Sequence, residues 1–122
     1  MASKGSTAFA RIREEVMRVV AGIPEGRFTT YGSIAGHLNV NPRHVAYFLA
    51  RLSEEEAATL PWQRVVAAEA RISRGMAEEL RAEQQARLEA EGLKIDARGF
   101  IIDPDRSFHV VGLKREIRWD KE

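Results

Sequence analysis

The stretch NVNPRHVAYFLARL, residues 39–52, determines the fold that the sequence predicts. Asn41 is a preferred N-cap residue and Pro42 suits the first helical position, so we expect a helix to begin here. Apolar residues recur at helical spacing along it, at Val45, Phe48, Leu49 and Leu52. The stretch therefore predicts a capped amphipathic helix that carries a basic residue, Arg43, in its first turn.

A second short helix is predicted just before it, within FTTYGSIAGHLNV, residues 28–40. Thr29 or Thr30 is suited to the N-cap, and the buried face is expected to consist of Ile34, Ala35 and Leu38. Two short helices joined by about four residues are typical of a helix-turn-helix. The same pattern also fits a helical hairpin that never contacts DNA, and the helices alone favour neither reading.

The flanking sequence completes the predicted architecture. We expect a first helix over 7–21, a mostly irregular segment over 53–74 with a short strand in its apolar pieces over 67–73, and a third long helix over 76–91. Residues 100–102 and 108–111, separated by Asp103-Pro104-Asp105, predict a β-hairpin that would act as a wing, and Trp119 is expected to pack on the core. The fold class is thus mainly α with a small β-hairpin, a winged helix-turn-helix domain over 7–122 that follows a disordered lead over 1–6.

Composition narrows the possible functions. The chain has 122 residues and a net charge of +1, which suits one domain. Cysteine is absent and the histidines are scattered, so we expect no disulfide, no metal site, no cofactor and no cysteine nucleophile. There is also no apolar run long enough for a membrane span and no secretory signal, so a cytoplasmic location is the default expectation.

Charge is unevenly distributed along the chain. Residues 27–52 contain no Asp or Glu but include three arginines, Arg27, Arg43 and Arg51. Such a stretch is typical of a modest phosphate-binding face in a chain whose positive and negative charges otherwise balance. Chance clustering explains it equally well.

The stretch LPWQRVV, residues 60–66, places a large ring and a guanidinium directly after a proline. One interpretation is that Trp62 packs in the core and that Arg64 forms a surface ion pair. The order of motifs along the chain favours another: IPEGRFTTYGSIA, NPRHVAYFLARL, LPWQRVV and a helix that ends in LEAEGL. In this order the sequence resembles the DNA-binding domain of the O6-alkylguanine-DNA alkyltransferases over about residues 8–95.

The sequence departs from that family at its reactive position. Trp62 replaces the alkyl-accepting cysteine, and Gln63 replaces the histidine that activates it. Alkyl transfer needs a thiolate, so the resemblance points to the alkyltransferase-like branch, which is not enzymatic. It implies a monomer that binds O6-alkylguanine in double-stranded DNA and flags the lesion to nucleotide excision repair proteins, associated with the nucleoid if the protein is bacterial.

The resemblance also assigns roles on the DNA side. Thr30 and Tyr31 would contact the phosphate beside the lesion, and Tyr31 would help to rotate the nucleotide out of the duplex. Arg43 would fill the gap that the flipped base leaves, and Ala46 would face the minor groove. Tyr47, beside Ala46, either points inward or widens the groove contact.

The remaining assignments concern the lesion pocket. Trp62 would form a wall against the flipped base, where aromatic stacking is worth about 1–3 kcal/mol per base. Its neighbours Gln63, Arg64 and Val65 complete the motif, and Arg64 more often braces such a loop than touches DNA. Arg74 would close the pocket, with Arg71 as the alternative.

Two other classes of function stay open. A winged-helix regulator would read a specific DNA sequence in the major groove, but the Pro-Trp-Gln-Arg motif has no role in it. A hydrolase that uses Ser73 or His44 is the other alternative, although no acid, base and nucleophile constellation is visible in the sequence.

Overall fold

The fold consists mainly of short helices. The computed structural model describes residues 4–113, 115 and 119. Its α-helices are α1 (Lys4–Ala21), α2 (Tyr31–Leu38), α3 (Pro42–Leu49), α4 (Glu54–Thr59), α5 (Glu78–Ala90) and α6 (Pro104–Ser107). Two strands, β1 (Thr29–Thr30) and β2 (Val65–Val66), and two 3₁₀ turns, Trp62–Arg64 and Ala68–Ala70, lie between them.

Helices α1, α2 and α3 surround one apolar core. The apolar faces predicted for α2 and α3 are buried, and α1 adds its own, so the shared core includes Ile12, Val16, Val20, Ile34, Leu38, Val45 and Phe48. Helix α1 begins at Lys4 rather than Thr7, so residues 4–6 are helical, contrary to the predicted disordered lead over 1–6. Residues 1–3 lie outside the described residues.

Both predicted caps of the helix-turn-helix are present. Thr30 caps α2 by accepting a hydrogen bond from the Ser33 backbone, and Asn41 caps α3 by accepting one from the Arg43 backbone. Between them α2 ends at Leu38, and its C-cap Asn39 has a φ of 59°, in the left-handed region that asparagine tolerates. The two helices pack directly on each other, as predicted.

Strands β1 and β2 pair in parallel, with Thr29 opposite Val65 and Thr30 opposite Val66. Both valines are buried, and Thr30 also caps α2. This short sheet therefore fixes the start of α2 beside the Pro-Trp-Gln-Arg segment, although the paired residues are 36 positions apart along the chain.

The hairpin predicted over 100–111 does not form. Asp103 adopts a positive φ of 54° and Pro104 begins the one-turn helix α6, after which Phe108 pairs with Phe28 instead. Stacking helps to select this partner, since the Phe28 and Phe108 rings lie 5.6 Å apart edge to face.

A hairpin-like turn forms earlier, over residues 94–102. Ile95 bridges Ile101, and the Asp96 carboxylate accepts hydrogen bonds from the Arg98 and Phe100 backbones at 2.8 Å and 3.0 Å. Gly99 adopts the positive φ of 89° that this tight turn requires. Phe100 also bridges Arg71, which joins the turn to the segment after β2.

The segment over 53–74 is more regular than predicted. Ser53 and Glu56 form a capping box that begins α4, and the two 3₁₀ turns flank β2. The short strand predicted in the apolar pieces over 67–73 is not found there, because that stretch holds the second 3₁₀ turn between isolated bridges at Ala67 and Arg71. The third long helix is confirmed as α5, two residues shorter at its start than the predicted 76–91. Trp119 packs on the core as expected, and its ring Nε1 donates to the Leu38 carbonyl at 3.0 Å.

Candidate nucleic-acid interface

Thr30 and Tyr31 stand at the start of α2. The Thr30 hydroxyl donates to the Ser33 hydroxyl at 2.9 Å and accepts from the Ser33 backbone at 3.0 Å, so its side chain is engaged within the cap. The first backbone N–H groups of a helix have no carbonyl partner inside the helix, and they attract anions. This end of α2 therefore suits a phosphate through its backbone more than through Thr30 itself.

The Tyr31 side chain is half-buried against the core of α1, α2 and α3. Burial raises the pKa of the Tyr31 hydroxyl above its ordinary value. The hydroxyl consequently keeps its proton at neutral pH and can donate a hydrogen bond to an anion without charge repulsion.

Arg43 lies exposed in the first turn of α3. Its backbone N–H is fixed by the Asn41 carboxamide at 2.8 Å, whereas its guanidinium makes no ion pair with any residue that the structure describes. A cation at a helix N-terminus is unfavourable unless an anion compensates, because that end of the helix is itself positive. Arg43 is therefore positioned for an anionic or base-stack partner rather than for the fold.

Ala46 and Tyr47 lie further along α3. Ala46 is half-buried, and Tyr47 is 42% exposed and thus points outward rather than into the core. The Arg51 guanidinium lies 3.7 Å from the centre of the Tyr47 ring. The outward surface of α3 is consequently both aromatic and basic.

Trp62 is half-buried in the 3₁₀ turn after Pro61. The Arg87 guanidinium of α5 lies 5.3 Å from its ring centre, within the range of a cation–π contact. Its indole N–H is buried and has no hydrogen-bond acceptor among the residues that the structure describes. The ring is therefore neither free in solvent nor part of the buried apolar core.

Gln63 and Arg64 converge on Glu91, at the end of α5. Arg64 Nε lies 2.9 Å from Glu91 Oε1, and Gln63 Nε2 donates to Glu91 Oε2 at 2.8 Å. The Gly26 backbone donates to the same carboxylate at 2.9 Å, and Arg64 also donates to the Ile23 carbonyl at 2.7 Å. These contacts agree with the bracing role expected of Arg64, and they leave Gln63 turned inward.

The Glu91 carboxylate has a shifted pKa. Burial raises it, but hydrogen bonds from Arg64, Gly26 and Gln63 and the charge of Arg64 together outweigh burial and lower the pKa below its ordinary value. Glu91 therefore stays ionised and holds the segment that carries Trp62.

Sequence reasoning missed the roles of Glu91 and Gln84. The buried Gln84 side chain donates to the Gln63 and Val65 carbonyls at 3.1 Å and 2.9 Å. The Glu-Gly pair at the end of LEAEGL was the available signal for Glu91, whereas Gln84 had none. Val65 is 1% exposed, so its side chain belongs to the core and not to an open pocket wall, contrary to its predicted place.

Arg71 and Arg74 both line a cavity of about 250 Å³ between the segment after β2, the start of α5 and the turn near Gly99. Trp62 is not among the residues that line it. Arg71 bridges Ala67, which directly follows β2. The structure thus places Arg71 beside β2, and it gathers Arg71 and Arg74 with other arginines rather than against the Trp62 ring.

No arrangement for catalysis or metal binding is visible in the described part of the chain. Ser73 accepts a hydrogen bond from the Gly75 backbone, and His44 packs edge-on against Phe9, so the hydrolase candidates have separate surroundings. Over the described ranges no three His, Asp or Glu residues are placed to hold a metal ion. Similarly, no described helix is long and apolar enough to cross a membrane.

Comparisons with known proteins place this helix-turn-helix and its motif in a family. Residues 11–93 match the model of the 6-O-methylguanine DNA methyltransferase DNA-binding domain, so the chain belongs to that family. A DNA base-flipping protein of Escherichia coli K12 is 42% identical over 91 residues, 72% of this chain and 67% of its own. The DNA base-flipping protein of Vibrio parahaemolyticus is 35% identical over 89 residues, 71% and 85% of the two chains.

Solved structures agree with this assignment. S. pombe Atl1, crystallised with damaged DNA containing O6-carboxymethylguanine, superimposes with a TM-score of 0.71 at 26% identity and covers 82% of this chain and 95% of its own. A second S. pombe alkyltransferase-like structure in complex with DNA gives a TM-score of 0.70 at 27% identity, again with 82% and 95% covered. The chain is therefore an alkyltransferase-like member of the family, and the predicted helix-turn-helix fold class is confirmed.

Proposed function

We propose that this protein binds O6-alkylguanine in duplex DNA from the minor groove, flips the damaged nucleotide against Trp62, and holds it without transferring the alkyl group. The observation that carries the proposal is Trp62 itself: a half-buried ring, fixed by its neighbours, at the position where the family's motif has cysteine. The similar proteins named for base flipping and the similar Atl1 complex with damaged DNA support it.

Several features of the chain fit flipping. An alkylated guanine pairs poorly, so extruding it costs less than the few kcal/mol needed for a normal base. The neutral Tyr31 hydroxyl and the start of α2 suit the adjacent phosphate, and Arg43, which makes no ion pair with the described residues, suits the gap in the stack. Backbone contacts of this kind position the protein, while the base in the pocket supplies the preference.

The absence of chemistry follows from the residues at the motif. The 122 residues contain no cysteine, and Gln63, which replaces the activating histidine, is turned towards Glu91. Neither Trp62 nor Gln63 supplies the thiolate that alkyl transfer needs. The bound lesion would persist as a signal, and we propose that nucleotide excision repair proteins recognise this complex, formed by a monomer in the cytoplasm.

Matched duplexes test the proposal. Binding to a duplex with one O6-methylguanine and to its guanine twin is measured by fluorescence anisotropy at one salt concentration, for the parent, Trp62→Ala and Arg43→Ala. We expect tighter binding to the lesion, with the preference reduced in both variants. Arg18→Ala serves as control, because Arg18 is exposed on α1 and pairs with Glu14 and Glu15.

Equal affinity of the parent for both duplexes would refute lesion binding. The regulator alternative would then take its place if selection from random duplexes gave a consensus site that binds more tightly than an unrelated sequence.

A further inference from the structure

Four arginines surround the cavity that Arg71 and Arg74 line. Arg81 of α5 and Arg98 at the tip of the 94–102 turn complete the group, here called the arginine pocket. Against four arginines, the acidic groups are Glu78, in the wall among the described lining residues, and Asp96, whose carboxylate charge attracts Arg98 from the turn. Positive charge therefore predominates in the arginine pocket.

These guanidiniums lack the glutamate partners that several other arginines of the chain have. Arg13, Arg64 and Arg87 each pair with a glutamate within 3 Å. Within the described ranges, none of the four arginines of the pocket makes an ion pair.

Arg71 and Arg98 contact an aromatic ring and a carbonyl group, and these contacts do not neutralise their charges. Arg71 and Arg98 share the Phe100 ring, with guanidinium-to-centroid distances of 4.8 Å and 5.2 Å, and Arg71 Nε donates to the Arg98 carbonyl at 3.2 Å. Two like charges beside one ring repel each other unless an anion lies between them.

Arg81 lines the cavity from α5, and its Nε is enclosed without a hydrogen-bond acceptor among the described residues. Because that atom has no accessible surface, an anion in the cavity would meet the terminal nitrogens of the guanidinium and not Nε.

The arginine pocket lies within reach of the proposed DNA-binding surface. Thr30 pairs with Val66, the next residue Ala67 bridges Arg71, and Arg71 bridges Phe100. Paired segments are about 5 Å apart and one residue step adds about 3.3 Å, so Phe100 lies at most about 18 Å from the start of α2. With one phosphate per about 3.4 Å of helix axis on each strand, this limit corresponds to at most about five phosphates.

We infer that the arginine pocket binds a backbone phosphate of the DNA, within about five nucleotides of the flipped base. The inference rests on the proposed DNA binding and extends the contact surface beyond α2 and α3. Guanidinium groups suit this ligand because their fixed N–H geometry matches phosphate oxygens. The contact would add affinity that depends on salt but carries no base preference.

Salt dependence provides the first test. Affinities of the parent, Arg98→Gln and Arg81→Gln for both matched duplexes are measured over a series of salt concentrations, after thermal melts establish that each variant is folded. Loss of one phosphate contact should reduce the slope of log K against log salt by about 0.9. The ratio of lesion to guanine affinity should stay at the parent's value.

The matched control is Arg18→Gln, which removes the same charge from an arginine that already has glutamate partners. Its slope should equal that of the parent. Slopes for Arg98→Gln and Arg81→Gln that also equal the parent's would overturn the inference, and this is the result expected if the pocket instead receives an acidic protein segment.

Neutral methylphosphonates, placed one at a time along the lesion strand, locate the contact. We expect the parent to lose affinity at one position within about five nucleotides of the lesion where Arg98→Gln loses no further affinity. Additive losses at every position would contradict the assignment. If the parent shows no lesion preference, the proposed function fails, yet the slopes on the unmodified duplex still decide the role of the arginine pocket.

Discussion

Arg64 and Glu91 form a bidentate ion pair in which Arg64 Nε lies 2.9 Å and 3.1 Å from the two carboxylate oxygens and Nη2 lies 3.0 Å from Oε2. Their side chains are only 15% and 10% exposed, so solvent screens the pair weakly. Because Glu91 also accepts from Gly26, one carboxylate joins α5, the Trp62 turn and the loop before β1.

Removal of the Glu91 charge should destabilise the protein strongly. Glu91→Gln leaves the Arg64 guanidinium enclosed without a counter-charge, and loss of one partner of such a pair costs about 3 kcal/mol. Urea denaturation measures this free energy of unfolding. Glu83→Gln is the control, since its exposed pair with Arg87 should contribute less than about 0.5 kcal/mol; equal effects of the two substitutions would contradict the buried role of Glu91.

The same carboxylate should make stability dependent on acid pH. Its native pKa lies below the ordinary 4.5, so its contribution is complete above pH 4.5 and is lost as the pH falls through the native value. The stability difference between the parent and Glu91→Gln should therefore shrink as the pH falls below 4.5. Urea midpoints at decreasing pH measure it, and a difference that stays constant would show that Glu91 is not ionised in the folded protein.

Replacement of Asn41, the N-cap of α3, should lower stability but reduce DNA affinity less than replacement of Arg43 does. Asn41→Ala removes the acceptor for the Arg43 backbone N–H and should cost about 1 kcal/mol of stability. Asn41→Asp keeps an acceptor and should retain most of it. In binding assays Asn41→Ala should weaken DNA affinity less than Arg43→Ala does; the reverse order would mean that the cap, and not the guanidinium, is what DNA binding requires.

The loss of DNA affinity on substitution of Trp62 should depend on whether an aromatic ring is kept rather than on whether the side chain is apolar. Trp62→Leu should reduce the affinity for the lesion duplex by about 5- to 150-fold, which corresponds to the 1–3 kcal/mol of one base stack. Trp62→Phe keeps a smaller aromatic face and should lose less. Equal losses in the two variants, measured by anisotropy on the O6-methylguanine duplex, would show that the ring does not stack on the base.

Local signals were sufficient to predict the helix-turn-helix. Thr30, Asn41 and Pro42 act on backbone groups within three residues, so their effect can be read directly from the sequence. Ser53 and Glu56 carried an equally local capping-box signal, which the charged run around it obscured, and α4 was therefore predicted as loop.

Distant pairings could not be predicted in the same way. The partner of Phe108 is Phe28, 80 residues away. Whether Phe108 pairs with Phe28 or with residues 100–102 cannot be predicted from the local pattern of apolar residues, which is the same in both cases. The contact of Glu91 with Arg64 likewise spans 27 residues. Only the resemblance to a family brought the Pro-Trp-Gln-Arg and Glu-Gly motifs together, and it did not reveal the grouping of Arg81 and Arg98 with Arg71 and Arg74.

The indole ring at position 62 determines whether one protein molecule can bind more than one lesion in succession. A thiol in that place would be consumed by one lesion, and the protein molecule with it, because the alkyl–sulfur bond does not reverse. An interaction made only by stacking, hydrogen bonds and charge ends at a rate set by dissociation, and the same molecule is then free to bind again. Exposure to alkylating damage would therefore leave the supply of this protein intact, and its residence time on each lesion would set the interval available to a second protein.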